Sequence, residues 1–557
     1  MNIKEMYANW LDCPLLPKDL KDELISVKDD DSAIEELFYQ NLEFGTGGLR
    51  GKMGPGTNRM NLFTVAKATR GLAKHLKSES QSPSCALCYD SRINSEYFAR
   101  LSAATLASEG IKVYLFPRLN PTPLLSFAVR YLACDGGIMI TASHNPKVYN
   151  GYKVYDSEGC QISGETADKI SELIAEESDL VESLPSFDKY LEKGDIVIID
   201  EALFKAFDRE IRALSVFTPK TPIKIAYSPL NGTGLKPVMR ALNALENVEV
   251  AVVEEQEKPD GNFPTCPSPN PETKEAMQKV SELAIKLKAD ICLATDPDSD
   301  RVGVGVRKGE EVVLLSGNQV GVLLFDFIVS AKKELGTLPE KPVLVKTIVS
   351  TKLADKIASA NGVETRNVLT GFKYIGEQIA ELEKAGRPKS YIFGFEESCG
   401  YLSGAHVRDK DAVNACLLIA EMTSYYKGKG KSLLDAYDDI SKKYGYFEDS
   451  QLNFHFEGQS GQKIMAGLMQ SFRKLDKNGE IPFLSMTDYL NDDTGLPSSD
   501  VLSFELSGER QFIVRPSGTE PKVKIYLSAC GKTKQEAEKA VEELGKQCTE
   551  LVHKLTK

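Results

Sequence analysis

The chain has 557 residues, 42% of them hydrophobic and 27% charged, with a net charge of -12. That length exceeds what one core organises, so three or four domains are expected. The acidic balance argues against nucleic acid or an anionic membrane as main partner. No apolar run is long enough to span a bilayer, and the N-terminus lacks the apolar stretch of a signal peptide. Eleven cysteines, an odd number without framework spacing, fit a reduced cytoplasm. Cys85 and Cys88 make a lone C-x-x-C with no second pair, which reads as two thiols in or near a strand rather than a zinc site.

In chain order, an acidic, helical N-terminal arm precedes the Gly-rich stretch from Phe44 to Gly51. A helix is predicted over 65–77, then a polar loop over 78–84 and a strand over 86–89 that ends at Asp90-Ser91-Arg92. A second strand covers 113–116, and a third, Gly137-Ile138-Met139-Ile140, runs into Thr141-Ala142-Ser143-His144-Asn145-Pro146. The pattern restarts at 223–227, which leads into Asn231-Gly232-Thr233-Gly234, and again at 343–347. Strands alternating with helices predict α/β units, here three related ones. The last part, with strands near Phe504, 512–514 and 523–527 and a helix over 533–554, reads as a smaller α+β domain. The expected domains are 1–212, 213–317, 318–440 and 441–557.

Four strand-to-loop junctions carry the chemistry. Ser143, presented at the carboxyl end of a buried strand, can act as a nucleophile or carry a phosphoryl group. The strand 291–295 runs into Asp296-Pro297-Asp298-Ser299-Asp300-Arg301, where carboxylates at alternate positions call for a hard cation such as Mg²⁺. An EF-hand is excluded, since Arg301 and Arg307 stand where that loop needs Gly and Glu. The strand 391–395 precedes Glu396-Glu397-Ser398, able to accept hydrogen bonds from sugar hydroxyls. Beyond it, His406-Val407-Arg408-Asp409-Lys410-Asp411 could bind a phosphate or shuttle a proton. The strand 512–514 opens Arg515-Pro516-Ser517-Gly518-Thr519, a phosphate cradle of forked cation, hydroxyls and approachable backbone N–H groups. A simple hairpin turn is the competing reading there. Together these features point to phosphoryl transfer to and from a polyol. Lys153 and His144 are the nearest candidates for the proton carrier.

These motifs, in this order and over essentially the whole chain, resemble those of the α-D-phosphohexomutases, the phosphoglucomutase and phosphomannomutase superfamily. The resemblance implies three similar mixed α/β domains plus a smaller C-terminal α+β domain around a central active-site cleft. It implies phosphorylation of Ser143 and a metal held by Asp296, Asp298, Asp300 and an oxygen on Ser143. It assigns sugar contacts to Glu396 and Ser398, to Thr370 and Gly371 of the Thr-Gly-Phe-Lys stretch, and to Arg301. Phosphate contacts fall to Arg515, Ser517, Gly518 and Thr519. Arg50 in Gly-Leu-Arg-Gly and Lys410 in Arg-x-Lys-Asp match active-site positions. Pro297 and Ser299 stand where many members have glycines. Cys399 and Gly400 replace the Gly-His of the bifunctional bacterial mannose/glucose enzymes. The Phe-Glu-Glu-Ser form is closer to the phosphoglucomutase branch that also contains phosphopentomutases. The implied reaction interconverts glucose 1-phosphate and glucose 6-phosphate through glucose 1,6-bisphosphate, with Mg²⁺ as cofactor. Mannose or pentose phosphates, bisphosphate synthesis, or a silent sugar-phosphate binder are the alternatives. A cytoplasmic monomer or weak homodimer is expected, with a phosphosugar as substrate and no nucleic acid or membrane partner.

Overall fold

A computed structural model describes residues 2–45, 47–162, 164–456, 459–491, 494–517 and 522–556. The chain divides into two compact units: residues 1–315, 376–388 and 400–425, and residues 316–375, 389–399 and 426–557. Each is described by itself.

The first unit holds two sheets of one plan. In the first, strands β1 (Gly48–Lys52), β2 (Ser84–Tyr89), β3 (Lys112–Leu115), β4 (Gly136–Ile140), β5 (Tyr149–Asp156) and β6 (Ile196–Ile198) are ordered β1-β5-β4-β2-β3-β6. The strands β4, β2, β3 and β6 run parallel, whereas β5 and β1 are antiparallel additions on one side. In the second sheet, β7 (Ile223–Ser228), β8 (Val248–Val252), β9 (Ile291–Thr295), β10 (Val302–Lys308) and β11 (Glu311–Leu315) are ordered β11-β10-β9-β7-β8. Again the parallel strands β8, β7 and β9 are followed by an antiparallel neighbour, β10. The serine loop joins β4 to β5, and the aspartate loop joins β9 to β10. Both occupy the same place in a repeated plan.

In the second unit β12 (Val343–Thr347), β13 (Glu364–Val368) and β14 (Tyr391–Glu396) run parallel in the order β13-β12-β14, and the glutamate loop follows β14. The short strand β15 (Gly400–Leu402) belongs to the first unit, where Gly400 bridges Arg301. The last sheet, β16 (Tyr446–His455), β17 (Ser485–Asp488), β18 (Leu502–Leu506), β19 (Arg510–Pro516) and β20 (Lys522–Gly531), is antiparallel throughout, in the order β16-β20-β19-β18-β17. Phe472 and Leu544, from two helices, pack with Phe504, Phe512 and Leu527 of this sheet into one core. Mixed α/β sheets in four domains are what the sequence implied.

One sequence expectation changes, and the helical N-terminal arm holds. The helix predicted over 65–77 runs Leu62–Glu79, started by an Asn61 side chain that accepts from the Phe63 and Thr64 amides, and it absorbs the front of the polar loop expected over 78–84. The N-terminal arm is a set of helices, Ile3–Asp12, Lys18–Ser26 and Asp31–Phe38. It is anchored in the first core by Trp10, whose ring meets Phe63 and Phe38 edge-on at 5.0 and 5.6 Å.

The segment entering β7 is tied to helix Ala412–Gly428 by a buried carboxylate. Glu421 accepts the amide N–H groups of Val216 (3.0 Å) and Phe217 (3.1 Å), and burial pushes its pKa from 4.5 to about 7. Ionising Glu421 is harder folded than unfolded. Its contribution to stability is therefore complete below pH 4.5 and lost as pH rises through about 7. Between pH 5 and 8 the protein should lose up to about 3 kcal/mol that Glu421→Gln does not lose. Thermal melts across that range check this, and equal pH slopes for the two proteins would contradict it.

Candidate active site

Ser143 lies three residues beyond β4 with a left-handed φ of 49°, and Ser299 in the aspartate loop has φ 50°. Non-glycine residues seldom adopt this conformation and keep it only where their surroundings hold it. The conformation at Ser299 is one that glycine adopts without strain. Around Ser143 the holding groups are explicit. Its amide donates to Thr141 Oγ1 (2.8 Å), which donates to the buried Asp90 (2.6 Å). The Arg92 guanidinium, 3% exposed, donates to the carbonyls of Ser143 and Asn145 (2.5 Å each), Pro146 (3.0 Å) and Tyr149 (3.1 Å). This grip leaves the Ser143 hydroxyl donating to Asp296 Oδ2 at 2.7 Å and lying 3.2 Å from His144 Nδ1. Arg50 reaches the same loop through Asn145 Oδ1 at 3.4 Å.

Asp296, Asp298 and Asp300 are almost wholly buried, and one oxygen from each lies within 4.8 Å of the others. The loop is wound by Asp296 Oδ1, which accepts the amides of Asp300 (3.1 Å) and Arg301 (3.0 Å). From outside, Thr233 donates its amide and hydroxyl to the Pro297 carbonyl, both at 2.9 Å. A Cβ at Gly232 would stand 2.5 Å from Pro297 Cα, so only glycine lets these loops touch. Thr122 donates to Asp298 Oδ2 at 2.8 Å, and Lys153 Nζ lies 3.0 Å from the same oxygen and 3.5 Å from Asp300 Oδ2. Lys410 Nζ meets Asp300 Oδ2 at 3.2 Å. Arg301 pairs with Glu272 at 2.9 Å.

Among the protein groups alone, charge is shared unevenly. Burial and the charges of Asp298 and Asp300 push Asp296 well up. Burial opposes ionisation of Asp298 too, but Lys153 and Thr122 hold its pKa well below the carboxylate range. Burial works against the Lys153 ammonium, yet Asp298 and Asp300 outweigh it and raise its pKa. Burial, then Arg301 and Arg50, drive His144 well below the usual imidazole value, which makes the ring neutral. Asp298 Oδ1 and Asp300 Oδ1 are buried and accept no hydrogen bond. Such oxygens are costly unless a cation meets them. An all-oxygen, anionic, buried donor set fits a hard divalent ion such as Mg²⁺.

In the second unit, Glu396 is buried and accepts the Gly371 amide at 2.9 Å, while Thr347 donates to Glu397 at 3.2 Å. The Thr370 hydroxyl beside it is buried without a hydrogen-bond partner, and Ser398 is half-buried. Arg515 stands on β19 opposite Lys524, and the Ser517 amide donates to the Lys522 carbonyl at 2.7 Å, so the stretch expected to cradle a phosphate falls between two paired antiparallel strands. Gly518 and Thr519 lie outside the described residues. The first unit thus gathers Ser143, His144, Arg50, Lys153, Lys410, Arg301 and the aspartates, and the second gathers Thr370, Gly371 and Glu396.

The cluster from His406 to Asp411 is divided in use. Arg408 is fully buried, pairs with Glu383 and donates to the Ala405 and Val407 carbonyls, and His406 pairs with Asp411 at 2.8 Å. These two are structural, and Lys410 alone of the cluster's cations reaches the triad. Sequence reasoning missed Arg92, Thr122 and Thr233. Arg92 had a signal, an Asp-Ser-Arg ending a strand. Thr122 and Thr233 had none, because their role depends on loops distant in the chain.

Residues 41–180, 205–309 and 316–444 match, respectively, the alpha/beta/alpha domains I, II and III of the phosphoglucomutase/phosphomannomutase family. A Staphylococcus haemolyticus phosphoglucomutase is 36% identical over 508 residues, 89% of this chain and 91% of that protein. A Staphylococcus aureus phosphoglucomutase is 37% identical over 512 residues, 88% and 90% of the two chains. Among solved structures, a phosphoglucomutase/phosphomannomutase family protein from Burkholderia thailandensis shares the fold at a TM-score of 0.68 and 18% identity, covering 92% of this chain and 97% of its own.

Proposed function

Since the chain belongs to the phosphoglucomutase/phosphomannomutase family and is a phosphohexomutase, an isomerase, we propose that it interconverts glucose 1-phosphate and glucose 6-phosphate, with Ser143 as the phosphoryl carrier. One observation carries this reading: a strained serine whose hydroxyl sits 2.7 Å from a buried aspartate triad and is built to be held there.

Phosphorylated Ser143 gives its phosphoryl group to the free hydroxyl of the sugar phosphate. The P–Oγ bond breaks, a P–O bond to the sugar forms, and the hydroxyl proton leaves to a basic group. The resulting glucose 1,6-bisphosphate turns over, and its other phosphate returns to Ser143 by the reverse step. His144, 3.2 Å from the serine oxygen and held neutral, is placed to take up the proton, and Lys153, held as an ammonium on the aspartates, to return one. Asp296, Asp298 and Asp300, with an oxygen on Ser143, would hold Mg²⁺, which neutralises charge on the transferring group. Lys410 and Arg50 add positive charge on the same side. Glu396, Ser398, Thr370, Gly371 and Arg301 contact the sugar. Arg515, Ser517, Gly518 and Thr519 grip the phosphate that is not reacting. The functional domains follow the boundaries 1–212, 213–317, 318–440 and 441–557. None of the eleven cysteines is in a disulfide and ten are buried, and no helix among the described residues is long and apolar enough to cross a membrane. Buried thiols outside disulfides support a cytoplasmic enzyme.

Turnover on glucose, mannose and ribose 1-phosphates, each with Mg²⁺ and its bisphosphate, tests the sugar. We expect kcat/KM for glucose to lead by about tenfold or more, the discrimination that hydroxyl-binding groups supply. A higher value for mannose or ribose would overturn the sugar assignment and leave the role of Ser143 standing.

A further inference from the structure

Lys410 reaches the triad from the end of a loop, and a flexible four-carbon side chain needs a fixed seat to hold an ammonium in one place. The seat is explicit. Asp409 Oδ1 accepts both the Lys410 ammonium and the Lys410 backbone amide, each at 2.8 Å. Asp409 Oδ2 accepts the Tyr155 hydroxyl at 2.7 Å. Both partners are buried, Asp409 at 3% and Tyr155 at 1% exposure.

Tyr155 stands two residues beyond Lys153 on β5, and successive alternate residues of a strand face the same way. One strand therefore fixes two ammonium groups. Lys153 is placed directly, at 3.0 Å from Asp298 Oδ2 and 3.5 Å from Asp300 Oδ2. Lys410 is placed through Tyr155 and Asp409, and ends 3.2 Å from the same Asp300 oxygen. Two cations converging on one carboxylate oxygen repel each other, and a counter-anion beside Lys410 offsets that repulsion. Asp409 is that counter-anion. Lys410 and Lys153 hold its pKa below the ordinary carboxylate value despite burial, as expected for a carboxylate that stays ionised in a closed site.

We propose that Asp409 and Tyr155 are positioning residues for phosphoryl transfer: they seat the Lys410 ammonium against Asp300, opposite Lys153, where the transferring phosphoryl group passes. The proposal rests on the reading of Ser143 and the triad given above. Neither residue touches the substrate in this scheme. Both act through Lys410, and the expected signature is in kcat rather than in KM.

The test is a double-mutant cycle with melting temperatures recorded throughout. Lys410→Met should lower kcat by about 10²- to 10³-fold. Asp409→Asn, which keeps size and can still meet Tyr155, should lower kcat by about 10- to 100-fold with KM changed much less. On the Lys410→Met background, Asp409→Asn should cost no more than about twofold, since the cation it serves is gone. Tyr155→Phe keeps the buried ring, and so the fold, and should cost roughly two- to tenfold in kcat, the worth of one hydrogen bond. Lys410→Arg with Asp409 intact should recover part of the activity lost in Lys410→Met. Full additivity of Asp409→Asn and Lys410→Met, or a loss confined to KM, would overturn the proposal. Phosphate still exchanging on Ser143 in Asp409→Asn would show that the carrier reading survives that failure.

Discussion

Ser143→Ala should abolish mutase turnover, by roughly 10⁴- to 10⁶-fold, the scale seen when a covalent nucleophile is removed. The reason lies in how the residue is held. Its backbone is fixed by Thr141 and by the four carbonyls on Arg92, none of which involves the hydroxyl. Alanine therefore keeps the loop and loses the hydroxyl's contacts with Asp296 Oδ2 and His144 Nδ1, about 1 to 3 kcal/mol of stability, because a buried carboxylate oxygen is left without that donor. Ser143→Gly removes the hydroxyl as well but accepts φ 49° without strain, so it should be equally inactive and no less stable than the alanine variant. Steady-state assays beside thermal melts separate the two effects. Exchange of labelled phosphate from glucose 1,6-bisphosphate into substrate should disappear in both variants, and full activity in either would remove the carrier from the mechanism.

Asp298→Asn should lower kcat by about 10²- to 10⁴-fold and weaken binding of divalent cations. Asparagine has the shape of aspartate and can still accept from Thr122, whose hydroxyl meets Asp298 at 2.8 Å. It cannot offer a second anionic oxygen in place of Asp298 Oδ1, which is buried and accepts no hydrogen bond. A ligand that binds only the folded state raises the melting temperature in proportion to its affinity. Mg²⁺ should therefore raise the melting temperature of the parent protein and have much less effect on Asp298→Asn. Chelation of the parent protein should abolish activity, and added Mg²⁺ should restore it. An undiminished Mg²⁺ response in the variant would place the metal elsewhere.

The strands that carry the chemistry were legible because each is a short, continuous apolar run. The strands 291–295 and 343–347 lie where the run predicted them, and the serine strand extends by one glycine. Parallel strands buried on both faces read this way. Their antiparallel neighbours did not. Val302–Lys308 reads Val-Gly-Val-Gly-Val-Arg-Lys, and glycine argues against a strand. The structure gives the reason: a Cβ at Gly303 would stand 2.2 Å from the Pro271 carbonyl oxygen. Tyr446–His455 was missed because it is an edge strand with polar, exposed alternate positions. At the candidate site, Ser143 and the three aspartates were visible as strand-end motifs, while of the groups that hold them only Arg92 had such a signal. Thr122 and Thr233 act on loops more than sixty residues away, and Asp409 looked like one charge in a run of charges. Local patterns report local structure, and support across domains is set by tertiary packing.

Mass spectrometry with peptide mapping of the purified protein is the most direct measurement. A reusable carrier should bear a single phosphoryl group on Ser143, regained on incubation with glucose 1,6-bisphosphate and Mg²⁺ and lost to excess glucose 1-phosphate. Phosphate on another residue, or no phosphate on Ser143 after that incubation, would contradict the role assigned to this serine.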